Sequence, residues 1–305
     1  MASPEKQHLV SKGYQANFAS RPSKRVTILE PSTGRVIENE RPISTNWRIP
    51  EYTSTLAGNG DSPDNKLERF FGSIEVKVLN EIRRIDPTHR GESQRQAVIQ
   101  LFAMHLVRNE TYRHAHDRIM LEVVDADLTS LTKDSKSIQR IEEYLGHAVK
   151  VEEVAALIRA FPGRAQESND LHVDNMRNSF ERIAEILSVF HLQIITSDGL
   201  DHGFALGDVP VVHYQTTSNR YGIRDGLAIG DADLIIGPLT RTTAVALSRV
   251  ERKPLVLSTK KTLQCINAVF ARSALRELAC HPEDAHQIRR TCEHLDRFPV
   301  RKLLT

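Results

Sequence analysis

The stretch Gln94 to Val123, QRQAVIQLFAMHLVRNETYRHAHDRIMLEV, decides the fold because its spacing predicts one long helix. An α-helix turns by about 100° per residue, so one face carries the following residues: Gln94, Val98, Leu101, His105, Arg108, Asn109, Tyr112, His116, Ile119 and Val123. That face is apolar at both ends and polar in the middle, whereas an amphipathic helix ordinarily keeps its polar groups on the solvated side. Buried polar groups need partners. The stretch therefore predicts either a polar cleft or a buried polar network.

The composition is typical of a soluble globular protein and excludes several other classes. The chain has 305 residues, of which 40% are hydrophobic and 26% charged, and its formal net charge is only +2. This charge is too small to indicate a broad surface for nucleic acid or anionic lipid. The chain has no run of about 18 apolar residues and no apolar segment in MASPEKQHLVSKG, so we expect neither a membrane span nor a secretory signal. The spacing of Cys265, Cys280 and Cys292 matches no zinc or redox motif, and we predict a cytoplasmic protein.

The order of the predicted elements indicates an α+β fold. Strand-like segments at residues 24–29 and 35–37, separated by the turn residues 31–34, predict an N-terminal β-hairpin. Apolar spacing predicts three long helices besides the central one: Lys66 to Arg84, Ala165 to Phe190 and Leu263 to Ala279. The fold is thus a helical middle, with a long central helix, followed by a β-rich C-terminal third. Its strands lack the regular intervening helices that parallel pairing needs, so the sheet is expected to be largely antiparallel.

The first residues predict a segment that packs on the rest of the chain. Residues 1–24 are mostly polar, but Leu9, Val10, Tyr14 and Phe18 are spaced among the polar positions. We therefore predict an N-terminal extension over residues 1–24 that packs on the core, and a single α+β domain over residues 25–305.

Several short motifs follow one another in a characteristic order. They are Gln7 to Ser11 with Tyr14 and Phe18, the helix from Leu67-Glu68 to Glu75, Arg108, Ser197-Asp198, Gly207 to Val211, Gly237 to Leu239, and Asn267. In order and spacing this chain resembles the bacterial family called domain of unknown function 4238, over most of its length. The resemblance implies a single domain and no particular reaction. It singles out these polar positions: His8, Glu68, Glu75, Arg108, Asp208 and Asn267.

A second, local motif points to phosphate chemistry. Arg108-Asn109, followed by four residues and His114, is similar to the R-x(4–6)-H motif of HEPN ribonucleases, and that resemblance implies metal-independent RNA cleavage at a homodimer interface. A histidine can move the proton of a 2′-hydroxyl, and an arginine can stabilise the developing phosphorane charge. On a straight helix His114 points about 120° away from Arg108, whereas His116 lies on the same side. The alternative is a buried or interfacial polar network around Arg108.

The carboxylates and histidines predicted near Arg108 are compatible with a functional site and with a structural network. Glu75 follows the apolar Ile74 and is the expected bidentate partner of Arg108, either as a structural ion pair or as a site component. The sequence His114-Ala115-His116-Asp117 is similar to an H-x-H-x-D metal motif, but alternate residues of a helix point about 160° apart. We therefore predict no metal and no cofactor.

Two hypotheses follow. In the first, a polar cleft at Arg108 binds a phosphate-bearing ligand, such as RNA or a nucleotide, with nuclease-like hydrolysis. The catalytic candidates are Arg108, His114, His116 and Glu75. The ligand-binding candidates are His8, His105, Asn109, Tyr112, Asp208 and Asn267. In the second hypothesis, the protein is a non-catalytic binding or assembly protein, and the same residues form a buried structural network.

Overall fold

A computed structural model describes residues 6–50, 55–56, 63–64, 66–85, 91–115, 118, 122, 135–145, 150, 164–215, 217–218, 220–251 and 255–298. Its elements confirm an α+β fold in the predicted order. The helices are α1 (Lys12–Gln15), α2 (Lys66–Ile82), α3 (Glu92–Arg108), α4 (Ser135–Leu145), α5 (Arg164–Ser188), α6 (Lys260–Ser273) and α7 (Ala285–Cys292). The strands are β1 (Lys6–His8), β2 (Arg25–Leu29), β3 (Val36–Pro42), β4 (Arg48–Pro50), β5 (Thr55–Leu56), β6 (Pro63–Asp64), β7 (His191–Thr196), β8 (Leu206–Gly207), β9 (Val212–Gln215), β10 (Arg220–Tyr221), β11 (Leu234–Pro238), β12 (Thr243–Ser248), β13 (Leu255–Leu257) and β14 (Leu278–Cys280).

The predicted N-terminal hairpin is confirmed, and it belongs to a larger sheet. Strands β2 and β3 pair antiparallel, and β14, from near the other end of the chain, pairs antiparallel with β2 and with β8. The resulting four-stranded sheet has the order β3-β2-β14-β8. It therefore joins the two ends of the sequence.

A six-stranded sheet forms the C-terminal third, in the order β10-β9-β11-β12-β7-β13. Its pairs are antiparallel, apart from the parallel pair of β13 with β7. The prediction of a largely antiparallel sheet is thus confirmed.

Apolar residues cover both faces of this six-stranded sheet. Successive side chains of a strand point to opposite faces, and here Ile194 and Ile235 belong to one buried cluster while Ile195 and Ile236 belong to another. The first cluster includes apolar residues of α2, α3 and α5, the second includes those of α6, and the four-stranded sheet contributes residues to both. The six-stranded sheet is therefore a layer with α2, α3 and α5 on one face and α6 on the other.

The N-terminal segment is held in the first cluster. Leu9, Val10, Tyr14 and Phe18 are all buried there, as their spacing predicts. The side chain of Ser11 caps α1 by accepting a hydrogen bond from the backbone N–H of Tyr14 at 3.2 Å. The hydroxyl of Tyr14 donates to the carbonyl of Pro238 at the end of β11, so the segment is fixed to the six-stranded sheet.

The prediction of a single helix from residue 94 to 123 is wrong, because the helix is interrupted at Asn109. Helix α3 ends at Arg108, Asn109 is extended with φ −80° and ψ 153°, and residues 110–115 are helical again. The Asn109 amide donates to the carbonyls of His105 and Leu106 at 3.2 and 2.9 Å. Its Oδ1 accepts from the backbone N–H of Tyr112 at 2.8 Å. One side chain therefore caps the end of one helix and the start of the next.

The predicted helix from Leu263 to Ala279 is also too long. Helix α6 ends at Ser273, and residues 278–280 form β14 instead. The carboxylate of Asp208 accepts from the backbone N–H groups of Leu275 and Arg276, both at 2.8 Å. Those N–H groups therefore do not make helical hydrogen bonds, and the chain continues into β14.

Candidate functional site

Arg108 is the last residue of α3, and its side chain is 2% exposed. Its Nη2 donates to both carboxylate oxygens of Glu68, at 3.0 and 3.3 Å, and to the backbone carbonyl of His8, at 2.8 Å. Its guanidinium carbon lies 5.5 Å from the centre of the Phe71 ring, which is cation–π distance. Arg108 thus joins the N-terminal segment to α2 and α3.

Glu75 and His8 complete this group, which we call the Arg108 network: Arg108, Glu68, Glu75 and His8. Burial raises the pKa of Glu75, while a hydrogen bond from Ser11 and the charge of Arg108 oppose the rise. Burial lowers the pKa of His8, against a hydrogen bond to the carbonyl of Asn46 at 2.9 Å. Because a carbonyl only accepts, this bond places the proton on Nδ1 of His8 and leaves the lone pair on Nε2.

The predicted partner of Arg108 is corrected. Glu68, not Glu75, makes the ion pair, and Glu75 acts on Arg108 through its charge and binds Ser11 instead. The two carboxylates are seven residues apart on one face of α2, so the way α2 packs against α3 decides which one reaches the guanidinium.

His105, expected to face the interior, is buried. Its ring stacks on that of Tyr14, with 4.8 Å between centroids, and burial lowers its pKa to about 3. Neither ring nitrogen has a hydrogen-bond partner in the part of the chain that the structure describes. His105 is therefore a neutral aromatic packing element beneath the N-terminal segment.

Of the two histidines predicted to be catalytic, the structure describes only His114, and it lies apart from Arg108. The side chain of His114 is 69% exposed and lies 3.8 Å from Glu110, whereas Arg108 is buried. His116 lies outside the described residues. After the break at Asn109, the hydroxyl of Tyr112 lies 2.7 Å from Oγ of Ser179 on α5. The HEPN-like pair of Arg108 and His114 is thus divided between the interior and the surface.

Asp208 and Asn267 bind backbone groups of loops around α6. Asp208 holds the turn after the helix, as described above. Oδ1 of Asn267 accepts from the N–H of Ala205 at 2.9 Å, and its Nδ2 donates to the carbonyl of Gly203 at 3.1 Å. Both side chains were predicted to contact a ligand. In the structure they hold the backbone of neighbouring segments in place.

Asp208 also gives the protein a pH-dependent stability. Burial raises the pKa of Asp208 from 3.8 to about 6, although backbone N–H groups of the turn oppose the rise. Since the folded-state pKa is the higher one, the protonated carboxyl stabilises the fold below about pH 4, and this contribution is lost as the pH rises through about 6. We expect the free energy of unfolding of the wild type, minus that of Asp208→Asn, to fall by about 2 kcal/mol between pH 4 and pH 7. Urea denaturation at each pH measures it, and a constant difference would contradict the assignment.

A cavity of about 150 Å³ lies beside the C-terminal end of α3. We call it the Asn109 cavity, because Asn109 is the predicted site residue that lines it. Its apolar lining includes Leu106, Val209, Val211, Val212 and Ile223. Its polar lining includes Thr111, His213, Tyr221, Arg224, Asp225, Arg272 and Ser273. The cavity therefore combines an apolar wall with hydrogen-bonding groups, two arginines and one carboxylate.

Three of the polar lining residues, His213, Arg272 and Ser273, are held within the wall of the cavity. His213 is 2% exposed, and its Nε2 lies 2.9 Å from the carbonyl of Leu227. Burial lowers the pKa of His213, and that carbonyl bond opposes the effect. Arg272 donates to the carbonyls of Phe298, at 2.9 Å, and Leu295. The Oγ of Ser273 is buried and has no hydrogen-bond partner within the described ranges.

Sequence reasoning missed this cavity because its polar residues come from separate segments. The available signal was His213, a histidine inside the otherwise apolar strand segment Val209 to Tyr214. A single histidine in a strand is more often a satisfied core residue, so that signal alone does not indicate a site.

The comparisons place the chain in a family. The family model described as Protein of unknown function (DUF4238) matches residues 6–284. The chain belongs to the DUF4238 family. Neither a curated protein nor a solved structure matches it. Among the helices within the described ranges, none has both the length and the apolar character needed to cross a bilayer.

The polar positions that the resemblance to DUF4238 singles out separate into two groups in space. The first is the Arg108 network, which fastens the N-terminal segment to α2 and α3. The second consists of Asn267, which links α6 to the loop at residues 203–205, and Asp208, which binds the turn after α6. The Asn109 cavity is lined by residues next to both groups, Asn109 after Arg108 and Val209 after Asp208.

Proposed function

We propose that this protein binds a small phosphate-bearing ligand in the Asn109 cavity, and that the Arg108 network supports the cavity without contacting the ligand. The observation that carries the proposal is the cavity itself, which has an apolar wall and lies beside two arginines. Ligand sites are typically concave and largely apolar, with a few polar groups that fix orientation.

Arg224 is the residue best suited to hold the phosphate. It lines the cavity, its side chain is exposed, and it makes no hydrogen bond or ion pair with any residue that the structure describes. A guanidinium presents paired N–H donors that match the oxygens of a phosphate. Arg272 contributes positive charge from the wall, but its donors are engaged by the carbonyls of Leu295 and Phe298.

Arg108 suits a supporting function better than ligand contact. Its guanidinium is buried, and its Nη2 already binds Glu68 and the carbonyl of His8. A ligand phosphate would have to displace that carboxylate. By fixing the end of α3, Arg108 holds Leu106 and Asn109 where they line the cavity. This combines the ligand of the first hypothesis with the buried network of the second.

The test is ligand-induced stabilisation. A compound that binds the folded protein raises the free energy of unfolding by about 2.7 kcal/mol at a hundred times its Kd. We expect nucleoside monophosphates or short RNA to raise the Tm of the wild type, and Arg224→Ala to lose at least half of that increase.

Arg220→Ala is the matched control, because Arg220 is also exposed, is on the neighbouring strand β10, and is not among the lining residues. It should respond to ligand like the wild type. If no phosphate compound raises the Tm, or if both variants respond equally, the proposal is wrong.

A second candidate function is hydrolysis of a phosphodiester at the Arg108 network. The observation that favours it is that Glu75 and His8 both belong to the Arg108 network, in which Arg108 binds the backbone of His8 at 2.8 Å, while burial raises the pKa of Glu75 and lowers that of His8. Such a pair can divide the tasks of general acid and general base. HEPN-type cleavage would add His116 and a homodimer.

Glu75→Gln tests this second candidate, with Glu81→Gln on the same helix as its control. Loss of a general acid or base lowers a rate by about 100-fold or more. This candidate requires that Glu75→Gln, and not Glu81→Gln, reduce cleavage of a short RNA by that factor. Equal rates in the two variants would remove the candidate.

A further inference from the structure

The size of the Asn109 cavity limits what can enter it. Sites that enclose a whole drug-sized ligand are typically about 300–1,000 Å³, whereas this cavity measures about 150 Å³. An engineered protein cavity of about that volume holds a benzene-sized ring. One ring of a larger ligand therefore fits inside, and the rest of the ligand must remain outside.

The hydrogen bond of His213 fixes which of its nitrogens can serve a ligand. The carbonyl of Leu227 can only accept, so Nε2 of His213 carries the proton and Nδ1 is left with its lone pair. Gly222 also lines the cavity. A Cβ atom placed on Gly222 would lie 3.9 Å from Cε1 of His213, the ring carbon between the two nitrogens. A neutral histidine has no positive charge to attract a phosphate. Its Nδ1 can instead accept a hydrogen bond from an N–H or O–H group of a ligand.

Ser273 supplies a second hydrogen-bonding group at the cavity. Its Oγ is buried without a hydrogen-bond partner among the described residues, and a buried hydroxyl in that condition is costly. A ring with both a donor and an acceptor could pair with His213 and Ser273 together. The valines at 209, 211 and 212 offer an apolar surface for its face.

We infer that a heterocyclic ring with an N–H donor, of the nucleobase class, enters the Asn109 cavity, and that the phosphate of the same ligand stays outside on Arg224. This rests on the proposed function, because it assumes that the cavity binds a phosphate-bearing ligand. It assigns His213 and Ser273 to the ring and Arg224 to the phosphate.

Calorimetric titration of the full chain separates the two contributions. The probes are uridine 5′-monophosphate, its 3-methyl derivative, which lacks the ring N–H, ribose 5-phosphate and inorganic phosphate. We expect uridine 5′-monophosphate to bind at least tenfold more tightly than ribose 5-phosphate. Methylation of the ring nitrogen should cost about tenfold in affinity, the equivalent of one hydrogen bond.

Ser273→Ala is the sharpest variant, because the hydroxyl it removes makes no bond within the described structure. We expect the Tm without ligand to be no lower than that of the wild type, because the change removes a buried hydroxyl that has no partner among the described residues, and we expect about tenfold weaker binding of the nucleotide. Ser258→Ala is its control, since Oγ of Ser258 is also buried without a described partner but does not line the cavity.

The outcomes distinguish the inference from the proposed function. If ribose 5-phosphate or inorganic phosphate binds as tightly as the nucleotides, the inference is wrong and the proposed function stands. Equal affinity for the methylated nucleotide, or full affinity in Ser273→Ala, also overturns the inference. If none of the probes binds, the proposed function fails and the inference fails with it.

Discussion

Replacing Glu68 by alanine is expected to lower the free energy of unfolding by about 3 kcal/mol, because it leaves the buried charge of Arg108 without its ion-pair partner. Nη2 of Arg108 donates to the two carboxylate oxygens of Glu68 and to the carbonyl of His8. The carbonyl of His8 would remain as an acceptor in the variant, but it carries no charge. The side chain of Glu68 is 37% exposed, and Glu75 faces the same charge. Both facts keep the loss near the lower end of the range for a broken buried pair. Urea denaturation at neutral pH measures the effect.

Glu81→Ala is the control for this prediction. Glu81 is on the same helix and lies 3.7 Å from the exposed Arg84, and such surface pairs contribute about 0–1 kcal/mol. Combining Glu68→Ala with Arg108→Met should destabilise less than the sum of the two single changes, because the double variant buries no unpaired charge. Additive effects, or equal losses in Glu68→Ala and Glu81→Ala, would show that Arg108 does not depend on Glu68.

Gly203→Ala is expected to cost about 3 kcal/mol or more, or to prevent folding, because it forces a methyl group into the backbone of Arg241. A Cβ at residue 203 would lie 2.2 Å from the carbonyl oxygen of Arg241 and 2.7 Å from its Cγ. That carbonyl accepts from the N–H of Phe204 at 2.7 Å, and Asn267 holds the carbonyl of Gly203. The chain is fixed on both sides and cannot move aside.

Arg241 cannot give way either, because Asp284 holds its side chain. Two bonds, from Nε at 2.9 Å and from Nη2 at 2.8 Å, run to this fully buried carboxylate. Gly230→Ala is the matched control, since a Cβ there meets nothing within 4 Å, and it should change the free energy of unfolding by less than about 0.5 kcal/mol. Equal stabilities of the two variants would refute the predicted clash.

The sequence alone was sufficient for features that depend on local periodicity. Helix α2, the hairpin of β2 and β3, and the inward direction of His105 and Arg108 all follow from apolar spacing. These elements were predictable because one face of each must be buried whatever it packs against.

Features that depend on a specific hydrogen bond or on packing between elements were not predictable in this way. The break at Asn109 arises from one amide that caps two helices, and asparagine fits a helical pattern well enough to hide it. The choice of Glu68 over Glu75 depends on how α2 meets α3. His213 and Ser273 are brought to one cavity only by the tertiary fold.

The bond between Tyr14 and Pro238 also bears on how the chain is made. Its partners are 224 residues apart. Ribosomes add roughly 5–20 residues per second, so the acceptor emerges on the order of 10 to 45 seconds after the donor. Throughout that interval Tyr14 and Phe18 lack the sheet that later shelters them. Nascent chains therefore expose these aromatic side chains until translation has passed β11. We expect a chaperone that binds them in that interval to reduce aggregation.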